Sequence, residues 1–178
     1  MAEVVALLRS VNVGGNRMKM DWLRTLATGV GCEQVRTVLA TGNVVMSPPD
    51  DLERVRLDLE TALAEQFGVI SVVMRTHEEL VNACKHNPWA EQVDSGALEG
   101  RAVHTIYCQG EPTQDAIAHV PREDSADDFA VVGRHVYLRL GGSAADTRYT
   151  GAWFERHLQV VGTARNHNTV LKLIAATA

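Results

Sequence analysis

Cysteine is scarce: Cys32, Cys84 and Cys108 are the only three in 178 residues. An odd number at wide spacing supports neither a disulfide framework nor a Cys-x-x-Cys metal site, and reads as buried free thiols in a reducing cytosol. No apolar run approaches the roughly 18 to 20 residues that a membrane span needs. The opening MAEVVALLRS has no basic leader and reads as a strand, so no signal peptide is expected. Positive charge is not in excess either. Seventeen Lys and Arg against 22 Asp and Glu leave a formal net charge of −5, which argues against a general nucleic-acid binder. Aromatics are 5% of the chain, and the strand runs VVALL and VVM carry none. A sheet-face RNA reader stacks bases on such residues, so RNA binding is only a distant third reading. The chain also lacks GxxxxGK[ST], GxGxxG and HExxH, and so no nucleotide fingerprint, zinc site or other cofactor is expected.

What is present is strong periodicity. Val4 to Arg9 is apolar on both strand faces, a pattern that needs cover on both sides. Met20, Leu23, Leu26 and Ala27 keep helical spacing, with Gly29 at the exit. The stretch EQVRTVLATGNVVMS holds two β-rich runs around Ala40–Asn43, a hairpin. Pro48-Pro49-Asp50-Asp51 opens a helix whose stripe is Leu52, Val55, Leu59, Ala62, Leu63 and Phe67, and Gly68 ends it. Val69 to Arg75 is a strand. Thr76 and Glu79 form a capping box for a linking helix that carries Leu80 and Cys84 inward and stops at Asn87-Pro88.

Residues 88–100 read as an irregular connector. Arg101 to Cys108 is a strand, and a short helix follows between Pro112-Thr113 and Pro121. A hairpin turns at Gly133-Arg134, and an amphipathic helix carries Trp153, Phe154 and Leu158. The last strand is placed at Gln159–Ala164, and the C-terminal helix at Asn168–Ala175 with Val170, Leu171 and Ile174 inward. The order β-α-β-β-α-β thus occurs twice. The expected fold is α+β: two ferredoxin-like units in tandem, over 1–75 and 101–178, joined by a linking helix and connector over 76–100.

The motifs ALLRSVNVGGNRMKM, VRTVLATGNVVM, VVGRHVYL and TARNHNTVLKL, in that order, resemble the bacterial family called domain of unknown function 1697. That family reads LLRGINVGG, an SGNV hairpin and a closing TRNWNTVLKL. The resemblance implies a compact α+β protein of this two-unit kind, and it implies little about activity. Ser10 stands where the family has glycine, Thr41 where it has serine, His167 where it has tryptophan and Arg148 where it has lysine. The Thr41 departure weakens a serine-dependent reaction at the hairpin. The Arg148 departure keeps the charge for gripping an anion and removes a lysine nucleophile.

Two polar segments are candidate sites. In the first, Arg9, Asn12, Gly14, Gly15 and Lys19 lie where a strand turns into a helix. Converging backbone N–H groups and flanking cations suit an oxyanion there, although a tight turn needing positive φ has the same signature. In the second, Arg165, Asn166, Asn168 and Lys172 crowd the entrance to the last helix. Arg165 suits an anion clamp, and Asn168 or Thr169 equally suits a helix cap. Asn43 in the first hairpin and Arg148 before the amphipathic helix complete the anion-binding set. The expectation is a small anionic, phosphorylated ligand held in a cleft between the units. The alternative is a non-catalytic interaction or structural module whose open sheet face serves a dimer or another protein. His104 and Cys108 share a strand face without a third ligand, and neither a nucleophile nor a general base can be named.

Overall fold

The computed structural model describes residues 3–12 and 17–178. Residues 1–81 together with 172–178 form one compact unit, and residues 82–171 form the other.

In the first unit β1 (Val4–Leu8), α1 (Met20–Gly29), β2 (Glu33–Thr37), β3 (Asn43–Ser47), α2 (Leu52–Phe67) and β4 (Val72–Thr76) follow the expected order. The sheet runs β2-β3-β1-β4 and every neighbouring pair is antiparallel. Strand side chains alternate between faces. Val4, Ala6 and Leu8 join Val44, Met46 and Val72 against Leu23 and Ala27 of α1 and Val55, Leu59 and Leu63 of α2. The opposite face is just as dry, with Val5, Leu7 and Val45 fully buried. That is why VVALL is apolar at every position.

The second unit repeats the plan. After α3 (His77–Lys85) come α4 (Ala90–Asp94), a 3-10 turn at Gly100–Ala102, β5 (Val103–Cys108), α5 (Gln114–Ala118), β6 (Asp128–Val132), β7 (His135–Arg139), α6 (Gly151–Leu158) and β8 (Gly162–Asn166). The sheet order β6-β7-β5-β8 matches the first sheet strand for strand. Ile106, Val136 and Leu138 pack with Phe129, Tyr149, Phe154 and Leu158 on one face. Trp89 packs with Val103 and Tyr137 on the other. The final helix, α7, spans His167–Ala176.

Several local expectations hold atom by atom. Thr76 Oγ1 accepts the Glu79 N–H at 3.2 Å while Glu79 Oε2 accepts the Thr76 N–H at 2.9 Å, the reciprocal capping box. Gly68, at φ 76, ends α2.

Four expectations need correction. The connector is not wholly irregular, because α4 lies within it; five residues are too few for a periodic signal. Arg101 belongs to the 3-10 turn and not to the strand. The last strand runs Gly162–Asn166 instead of Gln159–Ala164. Its polar run TARN hides a strand because a guanidinium sits on the buried face. In α7 the inward residues are Val170 and Leu173, while Leu171 is 47% exposed. Starting the helix one residue earlier does not move the stripe; the i, i+3 step from Val170 selects Leu173.

Candidate functional site

The carboxyl end of β1 and the β2–β3 hairpin meet in the first unit. Leu8 donates its N–H to the Gly42 carbonyl at 2.8 Å. Asn12 Nδ2 donates to the Ala40 carbonyl at 2.6 Å and to the Met18 carbonyl at 3.2 Å, while Asn12 Oδ1 accepts the Met18 N–H at 2.7 Å. One amide therefore clips both ends of its own turn to a hairpin 28 residues away. Gly42 holds φ 76 and faces Leu8 and Val11, so a Cβ there would lie 2.9 Å from Leu8 Cβ. Asn43 is fully buried, and its Nδ2 donates to the Val38 carbonyl at 2.9 Å and to Thr41 Oγ1 at 3.0 Å. It braces the hairpin from inside.

Arg9 is half-buried, and its backbone N–H donates to the Ser71 carbonyl at 3.0 Å. With Ser10, Asn12, Phe67 and Ile70 it lines a cavity of about 180 Å³. Ser10 and Asn12 both hold positive φ, 56 and 59. Asparagine tolerates that conformation and serine pays more for it. Gly14 and Gly15 lie outside the described residues. Lys19 is exposed at the N-cap position of α1 and makes no side-chain cap bond.

Arg165 lies in the second unit, 8% exposed, opposite Thr105 across β5–β8. Its Nη1 donates to Thr163 Oγ1 and to the Ala164 carbonyl, both at 2.8 Å. Burial pulls its pKa down to about 10, with the Tyr107 phenol opposing that shift. A desolvated guanidinium this close to the sheet is a strong donor in a low-dielectric setting. Asn166 Oδ1 accepts the Thr169 N–H at 2.9 Å, so Asn166 is the residue that caps α7. Asn168 is exposed and abuts Gly100, where a Cβ would come within 2.1 Å of its Oδ1. Arg148 is exposed and stands 3.5 Å from Glu123. Lys172 lies exposed on α7, within the residues that pack with the first unit.

Sequence reasoning missed two features. One is Arg75 on β4, 2% exposed, whose Nη1 donates to the Met74 carbonyl at 2.8 Å. Arg75-Thr76-His77 and Arg165-Asn166-His167 share a spacing that a search for internal repeats could have found. The other is a cavity of about 690 Å³ in the second unit, whose wall includes Arg101, His104 and Asn166. His104 and Asn166 are cross-strand neighbours. Burial lowers the pKa of His104 below its ordinary value, so the ring is neutral near pH 7. The same cause lowers the pKa of buried His167, with Asp94 opposing it. Among the described residues no group of three His, Cys, Asp or Glu side chains could hold a metal ion, and no helix is long and apolar enough to cross a membrane.

Two four-stranded antiparallel sheets of β-α-β-β-α-β connection, each with its helices, define an α+β protein built from tandem ferredoxin-like units. The chain belongs to the protein family of unknown function DUF1697, whose model matches residues 1–137. It is similar in structure to the conserved bacterial protein SP0830 from Streptococcus pneumoniae. That likeness has 22% identity and a TM-score of 0.75, over 99% of this chain and 98% of the other, and it shows the fold. The search of curated proteins found no match.

Proposed function

We propose that the protein binds a small anionic, phosphorylated ligand, and that Arg9 at the carboxyl end of β1 is its principal contact. One observation carries this reading: Arg9 lines a small cavity beside a turn in which Ser10 and Asn12 both hold the left-handed conformation. A turn needing only positive φ is cheapest with glycine. Placing two side-chain-bearing residues there accepts a backbone cost, and such costs cluster at ligand sites. The cavity has the volume of about six waters, which suits a phosphate group and a small organic remainder.

The local charge favours an anion. Between Glu3 and Asp21 the chain has no acid and three cations, Arg9, Arg17 and Lys19. An otherwise acidic protein thus presents a basic segment. A forked guanidinium with the Ser10 hydroxyl beside it holds an oxyanion through charge-assisted hydrogen bonds, while Asn12, which gives both amide hydrogens to the Ala40 and Met18 carbonyls, shapes the turn.

Thermal unfolding in inorganic phosphate, glycerol 3-phosphate, glucose 6-phosphate and sodium chloride tests the reading. A phosphorylated probe at ~100 times its Kd adds about 2.7 kcal/mol of apparent stability. The melting point should rise with a phosphorylated probe and not with chloride. Arg9→Ala should abolish the rise. A melting point that no phosphorylated probe raises refutes the proposal.

A further inference from the structure

The second unit holds a different cavity, larger and differently charged. Its wall brings together Glu99, Arg101, His104, Ser143 and Asn166, with Leu140 as an apolar contribution, around about 690 Å³. That volume is in the range of small-molecule sites. All of these residues belong to residues 82–171.

The charge is balanced. Arg101 Nε donates to Glu99 Oε2, and both side chains are largely exposed, at 77% and 67%. An ion pair this wet contributes little to stability, so both partners can be drawn onto a ligand at small cost. The remaining polar groups are uncharged. His104 is a neutral ring, and its Nδ1 is buried and makes no hydrogen bond. A buried nitrogen without a partner costs stability, and natural chains keep such costs mainly at sites. Asn166 gives its oxygen to the Thr169 N–H, which leaves its Nδ2 donors for a ligand. The rim segment Gly141–Ser143 is held by Asp127, whose Oδ1 accepts the Gly141 N–H at 2.8 Å and whose Oδ2 accepts from Thr147 Oγ1 at 2.6 Å.

We propose that this cavity takes a small zwitterion, an α-amino acid or a dipeptide, with its carboxylate on Arg101, its ammonium on Glu99 and its side chain against Leu140. A simple anion would claim Arg101 and strand Glu99, and a simple cation would do the reverse. A ligand carrying both charges satisfies both residues at once and adds no net charge to a wall that has none. The site is independent of the Arg9 cavity.

The test is a ¹H–¹⁵N NMR titration of the full chain with L-leucine and glycyl-L-leucine, beside N-acetyl-L-leucine and L-leucinamide, which each lack one charge. Saturable shifts are expected at His104 and Gly141–Ala144 with at least one zwitterion. The two single-charge analogues should bind at least about tenfold more weakly. Arg101→Ala, at an exposed position, should keep the fold and weaken the zwitterion by at least about tenfold, while Arg9→Ala should leave it unchanged. No saturable shift with either zwitterion, shifts that map elsewhere, equal binding of an analogue, or undiminished binding by Arg101→Ala each overturns the assignment.

Discussion

Arg75 and Arg165 hold the same place in two separate sheets. Arg75 stands opposite Val5 across β1–β4, and Arg165 opposite Thr105 across β5–β8. The next residue in each row is Val45 in one sheet and Tyr137 in the other. Each arginine bonds the carbonyl of the residue before it at 2.8 Å, each is followed by a capping residue, and a histidine then opens the next helix. Burying a guanidinium is costly. Keeping that cost twice, at one topological position, marks the two units as copies of one design more firmly than residue identity does.

The caps that follow the arginines give the first prediction. Thr76 Oγ1 and Asn166 Oδ1 each accept a backbone N–H in the first turn of the next helix. Thr76→Ala and Asn166→Ala should each lower stability in urea denaturation by ~0.5–2 kcal/mol. Asn168→Ala should stay within ~0.5 kcal/mol of the parent, because an exposed residue that is not the cap has little to lose.

Among the described glycines of the first unit, Gly42 has the closest neighbours. Its φ of 76 disfavours any side chain, and a Cβ would sit 2.9 Å from Leu8 Cβ and 3.0 Å from Val11 Cβ. Gly42→Ala therefore adds a steric clash to backbone strain, and should cost about 2 kcal/mol or more. Urea denaturation within ~0.5 kcal/mol of the parent would show that the hairpin does not pack on β1 as described.

His104 predicts a pH dependence. Its folded pKa is lowered by burial from the ordinary 6.5. The unfolded chain therefore takes up the proton first as pH falls, so stability is lost from about pH 6.5 down to the folded pKa and is level below it. His167 acts in the same direction. Denaturant titrations at pH 7.5 and pH 5 should find a smaller loss in His104→Gln than in the parent. An equal loss would mean that the ring is solvated in the fold.

Much of this was legible in the sequence where local chemistry decides local structure. The stripe of α2, the Thr76–Glu79 box and the Gly133 hairpin all depend on residues within a few positions of one another. What failed depends on distant partners. Asn12 reads as a turn former or an anion donor, and its bond to Ala40 appears only once a hairpin has folded back over it. Arg165 reads as the entrance to the last helix because a charged side chain on a buried strand face breaks the apolar alternation. The cavity containing Arg101 and His104 joins three stretches of chain, 97–104, 140–144 and Asn166, and only the last of them lies in a motif.

Asp127 predicts a local effect. It ties Gly141 and Thr147 into one loop. Asp127→Ala should cost ~1–3 kcal/mol and deprotect the Gly141 amide in hydrogen exchange, while β5 and β7 amides stay protected. Unchanged exchange at Gly141 would remove Asp127 from its bracing role.

Whether the turn after β1 holds an anion is decided by a ¹H–¹⁵N NMR titration with inorganic phosphate and glycerol 3-phosphate at constant ionic strength. Saturable shifts are expected at the Arg9, Ser10 and Asn12 amides with at least one of these probes, absent with chloride and lost in Arg9→Ala. Amides in that turn that do not move with either probe, or that move identically in Arg9→Ala, would contradict it.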